Sequence, residues 1–184
     1  MNVTSIQNAA AAKRSRQAMT LVEVLVAAAI STIVFAAIGT LAVSTARSFV
    51  ALGNYADLDR ASRDALDILS RDVRESRALT AYAPRQISLL TLDNSTLIYS
   101  YNSSTGNFTR QSAGNTKVLL TECDYLNFHI YQRNPSNNWS WYPVASNQIA
   151  TAKLLDVSWK CSRKILGQKV NTESVQTAKI VIRN

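Results

Sequence analysis

The chain has 184 residues, with 20 lysines and arginines against 12 acidic residues and a single histidine, for a formal net charge of +8. That length holds one ordinary domain with an appendage but not two full domains, and a composition poor in glycine and proline, without low-complexity runs, excludes a collagen-like or disordered chain. The charge is uneven: residues 1–18 carry +3, residues 19–79 hold six basic and seven acidic groups, and residues 80–184 hold eleven basic against five acidic.

The first element in chain order is a basic cluster, Lys13, Arg14 and Arg16, followed at once by a long apolar run. From Val24 to Ala46 there are 23 consecutive uncharged residues, and a helix of about 20 such residues crosses the hydrocarbon core. The cluster just upstream predicts a cytoplasmic N-terminal side, so everything after Arg47 is expected on the opposite side. Glu23 is the anomaly, because a carboxylate inside a membrane segment costs about 2.5–3.5 kcal/mol on insertion scales. A cleaved secretory signal would use a small-x-small site in "VSTARS", around Ala46. The apolar run is long for that reading, and Glu23 sits inside it. A plain signal anchor accounts for length and orientation but gives the glutamate no purpose.

A third reading uses every feature. The stretch "QAMTLVEVLVA" resembles the cleavage and methylation signature of type IV prepilins and pseudopilins. Matched residue by residue, Ala18 ends the leader, Met19 opens the mature chain, Thr20 and Leu21 follow, and Glu23 is the acidic fifth position. Ala18 stands where the commonest pattern has glycine and Met19 where it has phenylalanine, both conservative in size or polarity. The resemblance implies cleavage between Ala18 and Met19 on the cytoplasmic face and N-methylation of the new amine on Met19. It also implies a filament core of side-by-side apolar helices, in which Glu23 neutralises the α-amine of a neighbouring subunit. An unpaired charge is expensive in that medium, so the pair penalises any register in which the charges fail to meet. The bland alternative is a solvated glutamate near the membrane interface. The implied partners are other pilin or pseudopilin subunits, the prepilin peptidase and, before assembly, the bacterial inner membrane, with no small-molecule substrate and no cofactor.

Past Ala46 the texture changes without a turn signal. Leu52, Tyr55, Leu58, Ser62, Ala65, Leu66, Leu69, Val73 and Ser76 recur at helical spacing. The other face offers Asp59–Arg63, Arg60–Asp64, Asp67–Arg71 and Arg71–Glu75, each pair worth about 0.2–0.5 kcal/mol in a helix. The first proline is Pro84, so one near-continuous helix is predicted from about Thr20 to about Leu79. Gly39 and Gly53 are its softest points, each costing about 1 kcal/mol relative to alanine. Many major pilins kink this helix at a proline just beyond Gly39; Thr40 occupies that place here. The stripe is expected to pack against a C-terminal head, the rival being a coiled coil with another subunit.

After Pro84 the period becomes strand-like. "QISLLTL", "STLIYSY", "KVLLTE", "DYLNFHIYQR", "AKLLDVSWK" and "TAKIVIRN" are short β-rich runs separated by polar turn clusters. "STLIYSYNSSTGNFTR" reads as a hairpin with Gly106 in its loop, and "NFHIYQRNPSNNWSWYPV" as a second. Four to seven mostly antiparallel strands on the helix give an α+β fold. The domains expected are thus a cleaved leader (1–18), a transmembrane and filament-core helix (19–46), its amphipathic continuation (47–79) and a β-rich head (80–184). The order of pieces is similar to W-class minor pilins and to J-class minor pseudopilins of type II secretion. That likeness implies a structural subunit that initiates or caps a short filament.

No catalytic constellation is expected. His129 is the only histidine, and strand alternation makes it a surface or core position rather than a base. The motifs GxSxG, HExxH, P-loop and EF-hand are missing. Cys123 and Cys161, 38 positions apart, are too few for a zinc site, which takes about four nitrogen or sulfur ligands, so no metal is expected. In an exported domain they suit a disulfide worth roughly 3–4 kcal/mol on the chain-entropy model; the alternative is two buried free thiols. Asp93, Asn94 and Ser95 have calcium-ligand chemistry, but a turn explains them better. The basic head raises a second function, DNA or polyanion binding. Arg133, Lys153, Lys160, Arg163, Lys164 and Lys169 would contact phosphates, and Trp139, Trp141 and Tyr142 would stack on bases. A third is a membrane-anchored domain that never polymerises.

Overall fold

The computed structural model of the chain describes residues 20–134, 136, 140–144, 148–164 and 173–183. The chain divides into two compact units, one ending at Thr45 and one beginning at Ala46. A single helix, α1 (Leu21–Glu75), belongs to both.

In the first unit every described residue of α1 is exposed, including Leu21, Leu25, Ile33, Phe35 and Leu41. The helix is long and apolar enough to cross a membrane. Thr32 and Thr40 return their hydroxyls to the carbonyls of Ala29 and Ala37, at 2.7 and 2.8 Å, so neither presents an unsatisfied donor to an apolar medium. The helix continues without a break through Gly39 and Thr40.

In the second unit α1 buries Leu58, Ser62, Ala65, Leu69 and Val73, a stripe at three- and four-residue spacing. The predicted stripe therefore faces the core from Leu58 onward, whereas Leu52 and Tyr55 are exposed. Of the four predicted ion pairs, Asp59–Arg63 closes at 2.8 Å; among the described residues the other three do not. The helix ends at Glu75, short of the expected Leu79. Ser76 donates its hydroxyl to the Val73 carbonyl at 2.7 Å. The Arg77 amide then bonds the Leu90 carbonyl at 2.7 Å, which draws the next residues into a strand instead of another helical turn.

Among the described residues nine strands follow, more than the four to seven expected. β1 (Ala78–Ala83), β2 (Gln86–Leu90), β3 (Thr96–Asn102), β4 (Asn107–Ser112) and β5 (Asn115–Leu120) form an antiparallel meander in sequence order. β6 (Cys123–Arg133), β7 (Trp141–Pro143), β8 (Leu154–Ser162) and β9 (Glu173–Val181) form a second antiparallel sheet in the order β7-β6-β8-β9. The β3–β4 hairpin turns through Gly106 at φ +68°, a left-handed conformation that suits glycine. The predicted β6–β7 hairpin is present as well, pairing Arg133 with Trp141.

The stripe of α1 and the inner faces of both sheets share one core. Phe108 joins the two sheets, with ring centroids 5.7 Å from Tyr99, 6.1 Å from Phe128 and 6.2 Å from Trp159. Polar groups facing this core are satisfied: the Trp159 indole N–H donates to the Ser62 hydroxyl of α1 at 3.2 Å. Asp72 of α1 accepts from the Tyr99 hydroxyl at 2.5 Å and from Arg110 Nε at 2.6 Å. An α+β fold of this kind, a long N-terminal helix with an antiparallel β head, is the architecture the sequence predicts.

Candidate functional site

The first turn of α1 is built from Thr20 and Glu23. Thr20 precedes the helix, and its hydroxyl accepts the Glu23 amide at 3.3 Å. The Glu23 carboxylate reaches back to the Thr20 amide at 3.0 Å and to its hydroxyl at 3.4 Å. This is a reciprocal capping box, which satisfies two of the helix's unpaired N-terminal donors. The negative charge also sits where the helix dipole is positive. Leu21, Val22 and Val24 flank it, all exposed, so among the described residues the carboxylate stands uncovered at the head of an apolar rod. A cation brought to this turn would meet an acceptor already aimed at the helix end. The capping role of Thr20 was legible in the sequence, since T-x-x-E before an apolar run is its signature, but sequence reasoning had assigned only Glu23. Ala18 and Met19, the expected cleavage pair, lie outside the described residues.

A family model described as the prokaryotic N-terminal methylation motif matches residues 13–39. The chain carries the type IV prepilin signature. The match takes in the basic cluster, Thr20, Glu23 and the apolar helix as far as Gly39. A comparison with curated proteins gives no match. The prepilin signature implies interaction with other pilin subunits and with prepilin peptidase, and with the apolar helix it indicates a membrane-anchored protein.

The remaining sequence candidates fall elsewhere in the chain, on the β-rich second unit. His129 is exposed on β6, where its Nε2 lies 3.1 Å from the Asn127 amide and the residue stands opposite Asp156. Lys160 is ion-paired with Glu173 at 2.8 Å, and that hydrogen bond raises its pKa. Arg163 is paired with Glu122 at 2.8 Å. Arg133 and Lys164 are exposed and Lys153 half-buried, while Lys169 and Trp139 lie outside the described residues. Trp141 and Tyr142 are exposed on β7. Asn94 occupies a turn at φ 58° and accepts from Arg77 at 3.3 Å, which gives the Asp93–Ser95 segment a structural role. Cys123 and Cys161 are buried free thiols brought opposite each other on β6 and β8.

Proposed function

We propose that the chain is a minor pilin or pseudopilin, a non-enzymatic subunit that initiates or caps a type IV pilus or type II secretion pseudopilus. The observation that carries this reading is the Thr20–Glu23 box at the tip of an exposed apolar helix, within a prepilin signature. Cleavage after Ala18 would leave a methylated α-amine on Met19, one residue before the capping threonine. In the assembled core a neighbour's amine would then meet the Glu23 carboxylate, which already lies at a positive helix end. The basic leader favours a cytoplasmic N-terminus and a periplasmic head, so the helix is held in the inner membrane until assembly extracts it. Residues 1–18 would be the leader, 19–46 the membrane and core helix, and 80–184 the head, as the sequence predicts.

The decisive substitution is Glu23→Gln beside Glu23→Ala. Glutamine preserves a capping box but not the charge, so an assembly role predicts that both variants lose filament incorporation while the glutamine variant keeps helix stability. Incorporation of Glu23→Gln at wild-type levels would overturn the charge-pairing mechanism. Incorporation unaffected by either change would favour a non-polymerising anchored domain. Mass spectrometry of the mature terminus should find methylated Met19; an intact leader or a terminus near Arg47 contradicts the reading. Polyanion binding draws less support, because Lys160 and Arg163 already have acidic partners.

A further inference from the structure

A strand at the rim of a sheet presents a row of unpaired N–H and C=O groups, and proteins usually blunt such rows. The two sheets have four rims: β1, β5, β7 and β9. Three of them are blunted. β1 is tied to β6 by the Tyr82 hydroxyl, which donates to the Phe128 carbonyl at 2.9 Å, and the short 3-10 turn Ile149–Thr151 lies against it. β5 spans six residues, carries a register shift opposite Phe108/Thr109 and exposes Lys117. β7 is three residues long. The Val144 amide bonds the Ile130 carbonyl at 3.1 Å, and the Ser140 carbonyl accepts from the Asn134 amide at 3.2 Å. By alternation Trp141 and Pro143 face outward, and proline has no N–H to offer.

β9 has none of these devices. Its nine residues hold one unbroken register with β8 and include neither glycine nor proline. The Ile182 amide bonds the Lys153 carbonyl at 2.9 Å, while the Ser162 amide reaches the other way, to the Glu122 carbonyl, at 3.0 Å. Backbone groups alternate sides along a strand, so Ser174, Gln176, Ala178 and Ile180 turn theirs to β8. Glu173, Val175, Thr177, Lys179 and Val181 turn theirs to the open rim, where no described residue bonds them. All five are exposed, Val175 at 64% and Val181 at 52%.

We propose that the free rim of β9 is a strand-addition site for an extended segment of another protein. The charges along it say which segment fits. Lys179 stands opposite Asp156 of β8, and Glu173 is ion-paired with Lys160 at 2.8 Å. A strand added antiparallel beyond β9 continues both rows with alternating sign if it sets an acidic residue opposite Lys179 and a basic residue, six positions later, opposite Glu173. Val175 and Thr177 lie between those charges and favour β-branched partners. Main-chain bonds to Val175, Thr177 and Lys179 supply the affinity, and the two charges fix direction and register. The site uses no residue of the Thr20–Glu23 turn and stands independently of the assembly reading.

The test takes the full-length chain in detergent and a blocked nine-residue peptide with glutamate third, lysine ninth and valine or threonine first, fifth and seventh. In the free protein, amide exchange followed by NMR should be fast at Val175, Thr177 and Lys179 and slow at Gln176 and Ala178. The peptide should bind saturably and, at ten times its dissociation constant, slow exchange at the three fast amides about tenfold. Swapping its glutamate and lysine should weaken binding roughly tenfold, and Lys179→Glu should erase or reverse that preference. N-methylation at the odd positions, which removes the donors facing β9, should abolish binding. Absence of saturable binding, binding retained by the N-methylated peptide, or protection on a different strand overturns the proposal. So does slow exchange at Val175, Thr177 and Lys179 in the free protein, because the rim would then already be covered. None of these results bears on filament incorporation of the Glu23 variants, so the two readings fail separately.

Discussion

Asp72 shows how much one side chain carries here. It lies on α1 yet accepts from Tyr99 on β3 and from Arg110 on β4, at 2.5 and 2.6 Å, so helix and sheet share a charge-assisted network. Asp72→Ala would leave a half-buried guanidinium and a buried phenol without their acceptor, a loss of about 2–3 kcal/mol given that Arg110 keeps some solvent contact. The urea midpoint should fall accordingly with an unchanged slope. Burial first, and the hydrogen bond to Asp72 second, push the Tyr99 phenol well above its ordinary range. A raised value means the folded state resists ionisation, so this stabilisation is intact below the unfolded tyrosine's value, about 10, and is lost as pH climbs above it. Alkaline titration of the folded head should therefore show unfolding accompanied by a delayed tyrosinate signal. Tyr82, Tyr101 and Cys123 shift in the same direction. Tyr99→Phe, which keeps the packing on Phe108, should make the alkaline loss shallower without abolishing it.

At the scale of elements, α1 was legible from Leu58 to Val73 because burial on one face writes a 3.6-residue period into the sequence. Its end was not. "RALTAY" contains good helix formers, and what stops the helix is strand pairing between Ala78–Ala83 and β2, a tertiary effect that overrides local propensity. The five-plus-four division of the strands was equally invisible, since alternation tells which face is buried and not which strand is the neighbour. The pairing of Cys123 with Cys161 depends on the same hidden register. At the site, Glu23 was readable from motif and cost alone, whereas its bonds to Thr20 required the chain to be seen turning into the helix. Gly53 offers a test of α1 as an element: it is exposed, and a Cβ there would meet nothing within 4 Å. Gly53→Ala should stabilise the helix by about 0.5–1 kcal/mol, read as a higher thermal midpoint. No gain would mean that the segment departs from helix in solution.

For the whole molecule, the distribution of burial separates the part of α1 that folds the head from the part left uncovered. Every buried residue of α1 lies at or beyond Leu58, and the core they join belongs to the unit that starts at Ala46. Phe49, Val50 and Leu52 also belong to that unit but are exposed and apolar, so they contribute little to its stability and much to its stickiness. A chain starting at Asn54 keeps Leu58, the Ser62–Trp159 bond, the Asp72 network and the Arg163 contacts to Asn54 and Asp57, while shedding all three of those side chains. It should be soluble, monomeric by ultracentrifugation, and unfold in one cooperative step. A chain starting at Ala46 should share its midpoint but self-associate. A chain starting at Leu66 loses Leu58, Ser62 and Ala65 from the core and leaves the Trp159 N–H unpaired, a combined penalty of about 4 kcal/mol or more that a domain of 5–15 kcal/mol total stability tolerates poorly. If the Leu66 start folded as stably as the Asn54 start, the helix stripe would be decoration on a self-sufficient β head. If instead the Asn54 start failed to fold, the exposed upstream segment would be part of the head's stability, and its exposed apolar side chains would have a folding role of their own.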